Sequence, residues 1–202
     1  MNEPAAHDPS SPQARIVAAA RTLFFEHGFE RVTTDQIARA AKTSKASLYK
    51  YFPTMSEVLV AVVRAESDGF ETGVTEACDS LVALKAALVR YGLQVMGFLN
   101  KPDVIRFTRL MHEEVRGHPM IAARFYEESY QRSHVSITAM LAHGQQLGYV
   151  EKRLTAEELA EQLMGMWEGI RLNKTRLGLS KRPYPRPQDW AVKCVDTLLP
   201  DG

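Results

Sequence analysis

Three times along this chain a threonine stands three residues ahead of a glutamine or glutamate: Thr33 with Gln36, Thr54 with Glu57, and Thr155 with Glu158. Each pair is a capping box. The threonine hydroxyl accepts from the backbone N–H three residues on, and the longer side chain reaches back to the threonine N–H. The start of a helix is where backbone N–H groups are left without intrahelical partners. The three boxes therefore commit the chain to helices at three fixed points. Ser11 before Pro12 marks a fourth start, because proline at the first helical position lacks an N–H that would have had no partner there.

Apolar residues then recur at helical spacing. Ile16, Ala19, Ala20, Leu23 and Phe24 follow Pro12, and Gly28 ends that helix. Ile37, Ala38 and Ala41 form the inward face of a second helix, from Thr34 to Ala41. Ser44 caps a brief third, Lys45 to Phe52, which Pro53 stops. Val58, Leu59, Val62 and Val63 lie on a long fourth helix that fades near Gly73 to Cys78. Further helices are expected over Ser80 to Leu99, Pro102 to Val115, Pro119 to Leu147 and Thr155 to Leu177, with a last one from Pro187. No stretch reads as a strand, so the fold class is all-α.

Composition excludes several classes. Hydrophobic residues make up 45 % of the 202 and charged residues 24 %, the balance of a globular chain with a core. No uninterrupted apolar run reaches the roughly 18 residues of a membrane span, so no membrane partner is expected. Cys78 and Cys194 lie far apart without a CxxC, and read as buried small hydrophobes in a reduced, cytoplasmic protein. His112-Glu113-Glu114 and His118 suggest a metal, but zinc-binding helices place two histidines four apart. Here the spacing is six, with Gly117 and Pro119 breaking the helix. The sequence has no G-x-S-x-G elbow, Walker loop or GxGxxG. Neither metal nor cofactor is expected.

Charge is unevenly placed. Arg31 to Lys50 carries five basic residues (Arg31, Arg39, Lys42, Lys45, Lys50) against one acid, Asp35. Ser56 to Ser80 carries six acids against Arg64 alone. The basic stretch coincides with two short helices joined by a tight turn, a helix-turn-helix. In its second helix Leu48 and Phe52 are four apart and face the core, which leaves Lys45, Ala46, Tyr49 and Lys50 outside. Such a face suits a DNA groove. Small side chains at Ala46 and Ser47 permit close approach. Tyr49 brings a ring and a hydroxyl, and Lys45 and Lys50 supply charge for phosphates or guanine acceptors. Thr33 and Thr34 stand at a helix N-terminus, which favours phosphate. The plainer alternatives are solvated lysines, a core Tyr49, and a Tyr51 divided between core and contact.

The stretch RIVAAARTLFFEHGFERVTTDQIARAAKTSKASLYKYFPTMSEVL resembles the DNA-binding domain of the TetR family of transcriptional regulators. The likeness rests on an ordered set: GFE, a threonine-rich cap, IA-x-x-A, SK-x-SLY-x-YF, then a proline and a capped long helix. The later segment from IRFTRLMHEEVRGHPMIAARFYE to MWEGIRL is similar to ligand-binding halves of one branch of that family. The resemblance implies that Lys45 binds phosphate and Tyr49 contacts DNA, with Lys50 and Tyr51 at variable contact positions. Thr33, Thr34, Ser44, Ala46 and Ser47, read from the helix starts and the small outer face, complete the expected DNA-contact set, together with Lys42 at the turn. Three positions depart from the family pattern. Lys42 stands at the usual turn glycine and Thr43 at a small apolar residue. Met55 replaces a frequent lysine, a loss that backbone N–H groups at 54–56 would offset.

A middle rich in methionine and aromatic residues is either plain core or an apolar effector pocket. The pocket reading takes Met96, Phe107, Leu110, Met111, Tyr126, Tyr130, Met164 and Trp167, with Glu114 and Arg171 as polar anchors. The end of the chain is strongly apolar at Leu159, Leu163, Met166, Ile170, Trp190, Val195 and Leu198. By resemblance these form a four-helix homodimer interface. The expected organisation is a tail at 1–11, a helix-turn-helix DNA-binding domain at 12–54, and a helical effector-binding and dimerisation domain at 55–202. The expected function is a ligand-responsive regulator, a repressor on near-palindromic operator DNA, cytoplasmic and without enzymatic activity. The alternatives are a metal-dependent hydrolase around Glu113, Glu114 and His118, and a helical adaptor that has lost DNA binding.

Overall fold

The computed structural model describes residues 10–67, 78–114 and 119–200, leaving out the side chains at 67, 110, 113 and 114. Among the described residues the regular elements are helices: α1 (Pro12–His27), α2 (Thr34–Ala40), α3 (Lys45–Tyr51), α4 (Met55–Ser67), α5 (Leu81–Leu99), α6 (Pro102–Glu114), α7 (Pro119–Tyr126), α8 (Arg132–Leu147), α9 (Ala156–Glu168), α10 (Ile170–Arg176) and α11 (Pro187–Leu198). The three capping boxes form as the sequence requires. Thr33 and Thr155 each exchange both hydrogen bonds with their partners, and Thr54 does so with Glu57. Ser11, Ser44 and Ser80 each accept from the N–H three residues on.

Two expected helices are interrupted. The run from Pro119 to Leu147 holds a π-helical turn, Glu127–Gln131, between α7 and α8. That turn carries Glu128, whose buried carboxylate receives Arg64 of α4 through two hydrogen bonds of 3.0 and 2.6 Å. The run from Thr155 to Leu177 breaks at Gly169, where ψ of −134° leaves the helical range. A Cβ there would lie 2.9 Å from the Gly165 carbonyl oxygen, so only glycine fits. The break frees carbonyls at the end of α9. Tyr184 Oη donates to the Trp167 oxygen, and Trp190 Nε1 donates to the Met166 oxygen at 3.2 Å.

The chain forms two compact units, one of residues 1–68 and 106–128, the other of 69–105 and 129–202. This division departs from the expected boundary after residue 54. The reason is visible in α4, which packs along α1 and against α7. In the first unit Ile16, Ala20 and Phe24 of α1, Ile37 of α2, Leu48 of α3 and Val58, Leu59 and Val62 of α4 are all buried. Arg21 of α1 grips Glu66 of α4 through both carboxylate oxygens, at 2.5 and 3.2 Å, and lies over Phe25. Phe25 in turn stacks on Phe107 at 4.2 Å.

In the second unit α5 is the hub, with α8 and α11 packed against it and α9 against both of those. By length and composition α5 could cross a membrane, but its buried Leu84, Leu88, Tyr91, Val95 and Met96 are core. The indole of Trp167 lies on Gly92, where a Cβ would meet ring atoms at 2.7 and 2.8 Å. Asn100 brackets Tyr184, donating to its carbonyl oxygen at 2.8 Å and accepting from its N–H at 3.1 Å. Cys78 and Cys194 are buried thiols, and burial pushes the Cys194 thiol up to about 11.

Candidate nucleic-acid interface

The first unit builds its outer face from the inside outward. Leu48 and Phe52 of the α3 segment are buried. A helix anchored by those two residues must turn its opposite side to solvent. That side carries Lys45, Ala46, Tyr49 and Lys50, all exposed, with Tyr49 at 44 %. Tyr51 is also exposed, at 37 %, and Ser47 is half-buried.

The turn before α3 is a complete Schellman motif. Thr43 N–H donates to the Ala38 oxygen at 2.9 Å, and Lys42 N–H donates to the Arg39 oxygen at 3.2 Å. This closure places the residue after the helix end in the left-handed region, which favours glycine. Here it is Lys42, with φ of 51°, the one non-glycine at positive φ among the described residues. The same motif after α10 holds Gly178, with φ of 76°. Ala41 is buried beneath the turn, and its carbonyl oxygen accepts from Arg15 Nε at 3.3 Å. The turn is thus fixed from below while the Lys42 side chain is exposed.

Several polar groups expected at the interface serve the fold. Thr33 gives its N–H and hydroxyl to Gln36 Oε1, at 2.7 and 3.0 Å, while its oxygen accepts from Gln36 N–H. Ser44 Oγ accepts from Ser47 N–H at 3.0 Å. Thr34 is half-buried. The backbone relief expected beside Met55 is reduced, because Thr54 N–H already donates to Glu57 Oε2. Asp35 was not recognisable from the sequence as part of this face. Its Oδ2 lies 3.0 Å from Lys45 Nζ, across the starts of α2 and α3. This hydrogen bond and charge hold the Lys45 ammonium above the ordinary lysine range. The two residues are ten apart in sequence, a spacing with no meaning within one helix, so only the turn geometry brings them together.

The residues expected to line an effector pocket divide between the units. Phe107, Leu110, Met111, Glu114 and Tyr126 fall in the first; Met96, Tyr130, Met164, Trp167 and Arg171 fall in the second. Met96, Phe107, Met111 and Trp167 are buried, and Met164 and Tyr130 are half-buried. Tyr126 is 56 % exposed, contrary to a pocket lining. Arg171 lies over the Trp190 ring at 4.0 Å, so that cation serves α11 rather than a pocket anchor. The Leu110 and Glu114 side chains lie outside the described residues, as do His118 and the side chain of Glu113. His112 Nδ1 is 2.5 Å from the Thr108 carbonyl oxygen in its own helix. No cluster of metal-binding type occurs among the described residues.

The apolar end of the chain also divides. Leu159, Leu163 and Val195 are buried within the single chain, so they form core and offer no surface to a second copy. Their helices pack against each other, α9 also against α8 and α11 also against α5. Ile170 is 74 % exposed, and Met166, Trp190 and Leu198 are half-buried. Leu177, Leu179 and Val192 are exposed as well.

Comparison with known proteins covers both units. The family described as "Bacterial regulatory proteins, tetR family" matches residues 16–62. The description "AefR-like transcriptional repressor, C-terminal domain" matches residues 86–200, more than half of the chain. An HTH-type transcriptional repressor of Streptomyces coelicolor is 26 % identical over 164 residues, 80 % of this chain and 79 % of that one. An uncharacterized HTH-type transcriptional regulator of Mycobacterium tuberculosis is 34 % identical over 61 residues, and the chain spans only 30 % of that relative's length. A solved TetR-family regulator from Mesorhizobium loti has a TM-score of 0.79 at 20 % identity, covering 96 % of this chain and 98 % of its own. The flavonoid-responsive regulator FrrA has a TM-score of 0.71 at 25 % identity, covering 93 % and 95 %.

Proposed function

The chain belongs to the TetR family of DNA-binding transcriptional regulators, and from that premise we propose a ligand-released repressor that acts as a homodimer on a near-palindromic operator. The family is one of regulators, not of enzymes, which sets aside the hydrolase alternative. A regulator of bacterial genes works in the cytoplasm. Repression is favoured by the description of the C-terminal match.

The observation that carries the reading is the outer face of α3. Tyr49, Lys45, Lys50 and Ala46 stand together on one exposed side of a helix whose other side is buried core. In the docked arrangement α3 enters the major groove, Tyr49 lies against sugar or a thymine methyl, and Lys45, Lys50 and Lys42 meet phosphates. Two copies joined through Ile170, Met166, Trp190 and Leu198 would bring two such helices to successive major grooves, about 34–36 Å apart. The effector we infer is a small apolar or amphipathic molecule held in the second unit. Tyr130 and Met164, half-buried, and Met96 and Trp167, buried, all belong to that unit and are of the apolar or amphipathic kind that supports that class. Release requires the effector to bind one spacing of the two heads better than the other. A coupling of about 1–3 kcal/mol changes DNA affinity about 5–150-fold.

The test is fluorescence anisotropy on duplex DNA flanking the protein's own gene. Tyr49→Ala and Lys45→Ala are expected to weaken binding at least tenfold, about 1.4 kcal/mol, while sedimentation still reports the dimer. Unchanged affinity in both variants removes α3 from the interface.

A further inference from the structure

One charge beside the exposed face of α3 has the wrong sign for DNA. Asp35 is the single acid between Arg31 and Lys50, and its carboxylate sits on Lys45 at 3.0 Å. Both side chains are well exposed, Asp35 at 63 % and Lys45 at 49 %. Stability gives little reason for the pair, since exposed ion pairs contribute little. The start of α2 is already closed by Thr33 and Gln36. The chemistry of a carboxylate gives a different reason. It accepts hydrogen bonds and cannot donate them. It therefore repels phosphate and has nothing to offer guanine O6 and N7. The major-groove groups that it can take are exocyclic amines, cytosine N4 or adenine N6.

Resting on the docking of α3 set out above, we propose that Asp35 is a specificity-determining residue: it competes with the DNA backbone for Lys45, and an exocyclic amine in the operator compensates its charge. On an arbitrary duplex Lys45 has to leave Asp35 to reach a phosphate, and the abandoned carboxylate then faces the backbone without a donor. Non-specific binding rests almost wholly on phosphate contacts, so it bears this penalty in full. On the operator the amine receives the carboxylate and the penalty is relieved. Asp35 thus works by weakening wrong complexes.

The experiment uses the full-length protein and two duplexes, one selected by it from a random-sequence pool and one of unselected random sequence. Anisotropy is followed across salt. Asp35→Asn is expected to bind the random duplex about three- to tenfold more tightly at low salt, where surface charges are least screened. Its plot of log K against log salt steepens by about one phosphate contact. Affinity for the selected duplex stays level or falls, so discrimination drops. Asp35→Glu keeps the charge and keeps the weak random binding. In a Lys45→Gln background Asp35→Asn no longer steepens the slope, because no ammonium is left to release. Equal gains on both duplexes, or no change on either, overturn the proposal. If the unsubstituted protein binds no duplex in a salt-dependent way, the DNA reading itself fails, and that result precedes any substitution. A melting curve for Asp35→Asn close to that of the unsubstituted protein shows that the head still folds.

Discussion

Lys42→Gly tests how the turn of the DNA head is held. The Schellman hydrogen bonds from Thr43 and Lys42 fix the backbone, and φ of 51° places a side-chain-bearing residue in the left-handed region. That region costs a non-glycine residue about 1–2 kcal/mol. Glycine removes the cost but returns about 0.5–1 kcal/mol through its greater freedom in the unfolded chain. The net expectation is a gain of about 0.5–1 kcal/mol, or a rise in Tm of about 1–4 °C for a chain of this size. The same substitution deletes an exposed cation. If Lys42 meets a phosphate, the slope of log K against log salt becomes shallower by about 0.9. Lys42→Ala separates the two effects. It loses the charge but keeps a Cβ in the strained conformation, so DNA binding weakens and Tm does not rise. Melting by circular dichroism and a salt titration of duplex binding read both quantities. A Lys42→Gly protein that melts no higher than Lys42→Ala refutes the strain argument, and unchanged slopes in both refute the phosphate contact.

Two further substitutions probe the second unit. Gly92→Ala places a Cβ 2.7 Å from the Trp167 ring; overpacking by about 1–3 kcal/mol outweighs alanine's helix advantage of about 1 kcal/mol, so Tm falls, and a higher Tm contradicts the contact. Burial pushes the Glu168 carboxyl up to about 7, with Arg176 pulling the other way. Because the folded pKa lies above the ordinary carboxylate value, Glu168's contribution is complete below that ordinary value and is lost as pH rises through about 7. Glu168→Gln, neutral throughout, is therefore expected to be more stable than the unsubstituted protein at pH 8, by on the order of a few kcal/mol, and so to melt higher there, but much like it at pH 5. A gain of equal size at both values excludes the titration as its cause.

What the sequence disclosed depended on how local each signal is. A capping box needs only three residues, and all three boxes could be read from the chain and formed. Leu48 and Phe52 set the facing of α3 because four residues is one helical turn. Signals that depend on distant partners were hidden. The break at Gly169 is held by Tyr184 and Trp190, which lie 17 and 24 residues beyond the carbonyls they meet. The π turn at Glu127–Gln131 carries a carboxylate whose arginine is 64 residues away. Apolar periodicity marked Leu159, Leu163 and Val195 as a buried face, but it does not say whether the covering surface belongs to the same chain. Here it does. The left-handed Lys42 runs against the glycine rule, and sequence spacing shows the charge of Asp35 but not its neighbour Lys45.

Both tryptophans of the chain, Trp167 and Trp190, lie in the second unit. One is pressed against Gly92, and the other lies beneath the Arg171 guanidinium. The unit that carries α3 contains no indole at all. Intrinsic fluorescence is therefore a label built into one half of the molecule and missing from the other. Emission that shifts when duplex alone is added has been passed on from the unlabelled half, and effector titrations followed by it with and without duplex give the ratio of affinities, hence the linkage free energy, without any attached dye.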